Sequence, residues 1–223
     1  FDKIWRSTRR IVTERGFGTG CVVNHHAAPL GQQLVVTNAH VVDGFHKVIC
    51  EATSFGEIFR QEANLVAIDY AQDLAILEIE SVPSRPPDLP SAYPYTSGLD
   101  IGESPCPGDF VTVCGFPLGC QTPRLSQGIV SGFADLPIEG HSVGSLVVQA
   151  PVNQGSSGGP VCNKDGGLVG IVWAINPRLK PGIRRPAAPT ARQAIDYMEQ
   201  ALAPVDGFGY VLDPKDIISM LDS

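Results

Sequence analysis

The sequence has 223 residues, of which 43% are hydrophobic and 17% charged, a composition typical of a globular chain with a sizeable core. Its 24 glycines and 19 prolines favour short strands joined by many turns over long helices. The net charge of −7 argues against nucleic acid as the main partner, and no apolar run is long enough to span a membrane.

Six cysteines occupy positions 21, 50, 106, 114, 120 and 162, without the spacing of zinc ligands or of a small disulfide framework. Several of them border apolar runs, which fits buried free thiols as well as one or two disulfide bridges. No signal peptide is recognisable at the first residues, and the sequence indicates no compartment.

Strand-forming runs in the first third of the chain carry two candidate catalytic residues. His40 directly follows one such run, and Asp73 opens another. Because a strand end supports a side chain rigidly, we predict His40 as a general base and Asp73 as the carboxylate that orients it. The alternative for Asp73 is a simple turn cap, and we assign the competing Asp69 to a loop. Residues 16–23 are interpreted as a loop that enters a strand, and the other predicted strands of this part of the chain lie at 33–37, 48–59, 62–70 and 73–79.

The other histidines are interpreted as ordinary core or surface residues. The His25-His26 pair has no matching ligands elsewhere in the sequence pattern, so we predict no metal site. The same interpretation applies to His46 and His141.

The stretch from Asn153 to Pro160 contains three glycines around Ser156 and Ser157. Such a turn holds a serine hydroxyl outward while backbone N–H groups converge on one point, which is what a nucleophilic serine and its oxyanion require. A flexible Gly/Ser turn is the plain alternative. We predict Ser157 as the nucleophile and the backbone N–H groups of Gly155, Ser156 and Ser157 as the oxyanion hole.

The order of the candidate residues along the chain selects between architectures. All five histidines precede Ser157, which excludes the α/β-hydrolase order, and the only aspartate before the candidate base His40 is Asp2, which disfavours the subtilisin order. The remaining order, His then Asp then Ser, is that of the chymotrypsin-like double barrel. We therefore interpret 1–80 as mainly the first barrel, the proline-rich stretch 81–107 as the connection, and 108–223 as mainly the second barrel.

Four spaced motifs together resemble the HtrA/Deg branch of the trypsin-like serine proteases. They are Thr37-Asn38-Ala39-His40-Val41-Val42, Asp73-Leu74-Ala75, Gly128-Ile129-Val130-Ser131 and Gly155-Ser156-Ser157-Gly158-Gly159-Pro160. The resemblance implies an all-β fold of two six-stranded Greek-key barrels with the active site in the cleft between them and short C-terminal helices. It also implies one protease domain over 1–223, no cofactor, and polypeptide substrates, with misfolded or unfolded proteins as the expected class.

The resemblance further places the substrate pocket and an oligomer contact. It implies a pocket floor at Pro151 and Val152, and a wall formed by Val172, Trp173 and Ala174. Because the floor has no acidic group, we predict a preference for small or medium apolar residues before the scissile bond. A homotrimer joined through N-terminal aromatic residues is also implied, with Phe1 and Trp5 as the candidates.

Three features depart from the family pattern. Ser156 stands where an asparagine is usual, the segment 176–206 is longer than usual and contains a helix-like stretch at 190–202, and no PDZ domain fits within these residues. Two other classes of function remain open at this point. One is a non-catalytic, chaperone-like or peptide-binding module on the same fold, and the other is an esterase or acyltransferase that shares the chemistry.

Overall fold

Two closed β-barrels of six antiparallel strands make up most of the described part of the chain. The structure is a computed structural model, and it describes residues 1–26, 28, 32–54, 57–80, 98–138, 141–175, 178–179, 202–203, 209–212 and 214–222. The all-β, double-barrel prediction is confirmed. No helix within these ranges is both long and apolar enough to cross a bilayer.

The first barrel has the strand order β1-β2-β3-β6-β5-β4 and is closed by pairing of β1 with β4. Its strands are β1 (Thr8–Thr13), β2 (Gly16–Val23), β3 (Gln32–Thr37), β4 (Lys47–Ser54), β5 (Glu57–Asp69) and β6 (Leu74–Glu80). A one-turn helix α2 (Ala39–Val42) follows β3 directly. The base candidate His40 therefore sits immediately beyond a barrel strand, as the sequence predicts.

Two local predictions for the first barrel are wrong. The break between β4 and β5 lies between Ser54 and Glu57, which pair with each other, and not at residues 60–61. Arg60 and Gln61 interrupt the apolar pattern only because β5 is largely exposed along one side. The helix α1 (Asp2–Ser7) and the strand β1 were also not predicted. Arginines occupy two positions of β1 and mask its strand pattern, but the strand pairs with β2 and β4 and so forms part of the barrel wall.

The second barrel has the order β10-β11-β14-β9-β8-β7. Its strands are β7 (Phe110–Gly115), β8 (Arg124–Ile138), β9 (His141–Gln149), β10 (Pro160–Cys162), β11 (Leu168–Ile175) and β14 (Gly209–Leu212), while β12 (Arg178–Leu179) and β13 (Leu202–Ala203) form a separate pair. The nucleophile candidate Ser157 lies between β9 and β10. The helix predicted at 190–202 and most of the insertion 176–206 lie outside the described residues.

A hydrophobic cluster crosses the junction of the two barrels. The C-terminal helix α3 (Pro214–Leu221) contributes Ile217 and Leu221, which lie one turn apart and so on one face of the helix. Leu99, from the predicted connection, is fully buried here and forms a parallel bridge with Val23. The cluster consists of Ile4, Cys21, Val23, Leu34, Val36, Leu74, Ile76, Leu99, Cys114, Val143, Cys162, Leu168, Ile171, Ile217 and Leu221.

Phe1 and Trp5, the predicted oligomer contacts, differ in exposure. Phe1 exposes 71% of its surface, whereas Trp5 is half-buried in α1. Of these two candidates, Phe1 is therefore the one that is largely exposed, and the homotrimer stays a prediction.

All six cysteines are free thiols, so neither of the bridges left open by the sequence is formed. Cys21, Cys50, Cys114 and Cys162 are buried, Cys120 is half-buried and Cys106 is exposed. Burial raises the pKa of Cys50 and of Cys162 to about 12 and that of Cys114 to about 11. These thiols remain protonated in the folded protein well above the pH at which they ionise when unfolded.

We expect the buried thiols to make the fold progressively less stable above about pH 9. An unfolded thiol loses its proton near there while Cys50 keeps its own to about pH 12, so rising pH favours the unfolded state. Each such thiol contributes a slope of roughly 1.4 kcal/mol per pH unit in this window. In denaturant unfolding at pH 8 to 11, Cys50→Ala should lose the Cys50 share of the fall in unfolding free energy with pH. The exposed-site variant Cys106→Ala should keep the wild-type slope. Equal slopes for both variants would contradict the expectation.

Candidate active site

Both carboxylate oxygens of Asp73 bond to His40. Oδ2 lies 2.6 Å from His40 Nδ1, and Oδ1 accepts a hydrogen bond of 2.8 Å from the His40 backbone N–H. The Asp73 side chain is only 10% exposed, whereas that of His40 is 51% exposed. The carboxylate therefore fixes the ring from the inside and places the proton on Nδ1, which leaves Nε2 as a free base toward solvent.

The backbone around Asp73 is itself held by the segment that carries His40. The Asp73 carbonyl oxygen accepts from the Asn38 side-chain amide at 3.0 Å and from the Ala39 N–H at 3.1 Å. Asp73 adopts a φ of +53°, a left-handed conformation that aspartate tolerates better than most residues. Asp69 has a different role, because its Oδ1 accepts from the backbone N–H groups of Ala71 and Gln72 and so caps the turn before β6.

The Ser157 loop is a succession of tight turns. The Ser156 N–H donates to the Asn153 carbonyl and the Gly159 N–H to the Ser156 carbonyl, each at 2.9 Å. Gly155 and Gly158 have φ values of +92° and +82°, which side-chain-bearing residues rarely adopt. The glycines of the motif are therefore required by the backbone path and not merely by flexibility.

Thr19, a fully buried residue of β2, connects this loop to the first barrel. Its hydroxyl donates to the Gly155 carbonyl at 2.6 Å and accepts from the Phe116 N–H at 3.1 Å. Its backbone N–H donates to the Ser157 carbonyl at 2.8 Å. This role of Thr19 was not predicted, and its only signal in the sequence is a single polar residue between the two glycines of Gly18-Thr19-Gly20.

The loop also packs against the strand end that leads to His40. The Thr37 hydroxyl donates to the Thr19 carbonyl at 2.6 Å. A Cβ placed on Gly158 would lie 2.5 Å from the same Thr37 hydroxyl oxygen. Since Thr37 is three residues before His40 and Gly158 adjoins Ser157, the segments that carry the base and the nucleophile candidates come together at the barrel junction.

The three predicted oxyanion donors differ in their availability. The Ser156 N–H is used within the turn, as its bond to Asn153 shows. Among the described residues, neither the Gly155 N–H nor the Ser157 N–H has an acceptor. These two groups, one residue apart on either side of Ser156, are therefore the ones that remain available to an incoming oxyanion.

The residues predicted to line the substrate pocket lie in different environments. Val152 and Val172 are buried in the hydrophobic cluster of the second barrel, so their side chains do not line an open pocket. The N–H and carbonyl groups of Val172 are bonded to Gly159 and Gly158 of the serine loop. Pro151 is exposed, and its carbonyl accepts a hydrogen bond from Ser126 Oγ. Trp173 is half-buried against the junction cluster, and Ala174 pairs with Tyr210 in the sheet.

We expect Thr19→Val to lower kcat/KM by about 10- to 100-fold, because Gly155 carries one oxyanion donor and a lost donor costs on the order of 100- to 1000-fold. Valine matches the shape of threonine but leaves the Gly155 carbonyl and the Phe116 N–H without their partner, which should also cost about 1–3 kcal/mol of stability. Thr19→Ser keeps the hydroxyl and should recover most of the rate. Equal rates for the valine and serine variants would contradict the positioning role.

Two barrels with a His–Asp pair and a glycine-rich serine loop at their junction define the class of the chymotrypsin-like peptidases. The chain belongs to the trypsin-like peptidase family, since the family model described as "Trypsin-like peptidase domain" matches residues 18–171. The two relatives that follow are both HtrA-type serine proteases. Serine protease HTRA4 of Mus musculus is 33% identical over 158 residues, covering 69% of this chain and 29% of that protein. Serine protease Do-like HtrA of Bacillus subtilis is 34% identical over 167 residues, covering 71% of this chain and 33% of that protein.

The solved structures agree on the fold. The HtrA-type protease AlgW, solved with a tripeptide, superposes with a TM-score of 0.68 at 21% identity, covering 99% of this chain and 60% of that one. At this identity the likeness concerns the fold alone. The chain spans about a third of the length of the two curated relatives named above.

The prediction of no metal ligands rested on the lack of partners for His25 and His26. The structure supplies one, because Asp222 at the end of α3 lies beside both rings. The proximity of Asp222 to the two histidines could not be predicted from the sequence, since the three residues lie near opposite ends of the chain.

Proposed function

We propose that this domain is a serine endopeptidase that cleaves polypeptides through an acyl-enzyme intermediate. Ser157 is the nucleophile, His40 the general base and acid, and Asp73 the group that orients His40. The family membership and the His40–Asp73 geometry support this assignment over a non-catalytic module.

The mechanism follows from the positions of the proton-carrying groups. His40 Nε2 takes the proton of Ser157 Oγ as that oxygen attacks the substrate carbonyl, and the resulting oxyanion is bound by the N–H groups of Gly155 and Ser157. The tetrahedral intermediate collapses when His40 gives the proton to the leaving amine, which breaks the peptide bond. Water then attacks the ester with His40 again as base, and Ser157 recovers its proton as the acid product leaves.

The observation that carries this proposal is that Asp73 bonds to His40 at two points, the ring and the backbone. A carboxylate that bonds both the ring Nδ1 and the backbone N–H fixes the position of the imidazole and its tautomer together. A turn cap alone would need neither a bond to the ring nor a buried carboxylate, and Asp69 shows what such a cap looks like in this protein.

The proposed substrates are unfolded polypeptides with a small or medium apolar residue before the scissile bond. The segment Ala150-Pro151-Val152-Asn153 carries no charged side chain, so a lysine or arginine buried there would lack a partner. The Val152 and Val172 side chains are buried, which leaves the half-buried Trp173 as the largest of the predicted pocket side chains that a substrate could contact.

A serine-directed fluorophosphonate probe, together with mapping of casein fragments by mass spectrometry, tests the proposal. We expect labelling and cleavage by the wild type, loss of both in Ser157→Ala, and retention of both in Ser131→Ala, which changes an exposed serine of β8. Labelling that survives Ser157→Ala would overturn the assignment of the nucleophile. Ester hydrolysis without casein cleavage would instead favour an esterase or acyltransferase, and cleavage mainly after lysine or arginine would overturn the predicted specificity.

A further inference from the structure

We propose that His25, His26 and Asp222 form a binding site for a transition metal ion of the Zn²⁺ class. Asp222 Oδ1 lies 3.2 Å from His25 Nε2 and 3.9 Å from His26 Nε2. One ligand atom from each of the three residues falls within 4.8 Å of the others, and they form the only such group among the described residues. The site lies outside the residues proposed for catalysis.

The spacing of the three groups suits tetrahedral coordination. Zn²⁺ binds histidine nitrogen and carboxylate oxygen at about 2.0–2.2 Å, which places neighbouring ligands of a tetrahedron roughly 3.3–3.5 Å apart. The Asp222–His25 separation is already close to that value, and the Asp222–His26 separation exceeds it by about half an ångström. Two imidazoles and one carboxylate are a ligand set that Zn²⁺ and its neighbours accept, with one position left for water or another ligand.

Backbone hydrogen bonds hold the ligands on both sides. Asn24, which precedes the two histidines, donates its N–H to the Leu99 carbonyl at 2.8 Å, and the Ala28 N–H donates to the His25 carbonyl at 3.2 Å. On the other side, the Asp222 N–H donates to the Ile218 carbonyl at 3.0 Å and so continues the pattern of α3. Hydrogen bonds therefore hold the backbone beside the site on both sides.

Electrostatics favour a cation at this point. Asp222 places a negative charge at the C-terminal end of α3, where the helix dipole is also negative and where an acidic residue is normally unfavourable. The ring centroids of His25 and His26 are only 4.3 Å apart, so both rings can reach one ion beside Asp222. A metal ion at this point would compensate the charge of the carboxylate and of the helix end.

Exposure differs among the three ligands in a way that permits entry of an ion. The side chain of His25 is 10% exposed and that of His26 is 85% exposed, while Asp222 is 51% exposed. One ring is thus fixed against the protein and the other is free to swing onto an arriving ion. Bound metal would join the segment after β2 to the helix whose Ile217 and Leu221 cover the barrel junction.

The test is titration of Zn²⁺ into the protein, prepared without a polyhistidine tag and freed of metal with EDTA. We expect one Zn²⁺ per chain by calorimetry, a rise in Tm, and slower amide hydrogen exchange in 214–222. Asp222→Asn and His26→Ala should each weaken binding by at least about 10-fold, since even the loss of an outer-shell partner costs 10- to 100-fold. The matched control is His46→Ala, which removes an exposed histidine elsewhere and should bind like the wild type.

Two further measurements separate metal binding from a plain ion pair. Co²⁺ should give the intense visible absorption of a four-coordinate site in the wild type and lose it in Asp222→Asn. In EDTA at pH 8, Asp222→Asn should have an unchanged or higher Tm, because an unfavourable charge leaves the helix end. Zn²⁺ binding that survives both ligand variants, or that is lost equally in His46→Ala, would overturn the proposal, as would the absence of stoichiometric binding.

Discussion

Asp73→Asn is expected to lower kcat by roughly 10⁴-fold while leaving the fold intact, the loss seen when a trypsin-type triad is held in the wrong tautomer. An asparagine at this position would keep the bond to the His40 backbone N–H through its oxygen and turn its amide group toward Nδ1. The ring proton then moves to Nε2, and His40 no longer accepts a proton from Ser157. Steady-state kinetics on a peptide substrate, with circular dichroism to check folding, measure this.

The matched control for this variant is Asp69→Asn. Asp69 is a carboxylate of the same hairpin, but its bonds run to the backbone of Ala71 and Gln72 and not to His40. We expect Asp69→Asn to change kcat less than 10-fold, since an amide oxygen also accepts these two bonds. A comparable loss in both variants would show that the hairpin tolerates neither change and would remove the evidence for an orienting role of Asp73.

Gly158→Ala is expected to destabilise the fold by roughly 4 kcal/mol or more and to abolish activity. The φ of this residue is +82°, and an added methyl group would overlap the Thr19 carbonyl oxygen and lie 2.5 Å from the Thr37 hydroxyl. Neither neighbour is free to retreat, because the two are bonded to each other across β2 and β3. Denaturant unfolding measures the stability, and a variant that no longer folds meets the expectation.

Gly166→Ala provides the matched control for backbone strain alone. Its φ is +84°, almost the same as that of Gly158, but no atom lies within 4 Å of an added methyl group. We expect a cost of only about 1–2 kcal/mol from the left-handed conformation and an unchanged kcat. If the two alanine variants proved equally stable, the contact between the serine loop and the first barrel would carry no structural weight.

The fold was predictable because its elements are short and follow the composition and the order of the motifs. The glycine-rich turn, the histidine after a strand and the aspartate before one are local patterns, and each is compatible with only a few architectures. The same local patterns predict that Asp73 and not Asp69 orients the base, and Asp73 is the one that bonds to His40. The interpretation of Asp69 as a loop residue is wrong, because it is the last residue of β5 and pairs with Leu74.

The features that the sequence does not predict all depend on contacts between distant residues. Thr19 looks like any strand threonine until its bonds to Gly155 and Phe116 are seen, and no periodicity encodes them. The burial of Val172 follows from its position in β11 and that of Val152 from the path of the loop after β9, and a pocket assignment by position along the chain ignores both. The meeting of Asp222 with the two histidines likewise requires knowledge of where α3 packs.

The links through Thr19 and Thr37 mean that neither half of the polypeptide contains a finished reaction centre. A fragment with only the first barrel would contain His40 but not Ser157. A fragment with only the second barrel would contain the Ser157 loop without the hydrogen bonds that Thr19 gives it. Enzymatic activity should consequently return last during refolding, when the two barrels associate. The half-time of its return should equal that of barrel association and not that of strand formation.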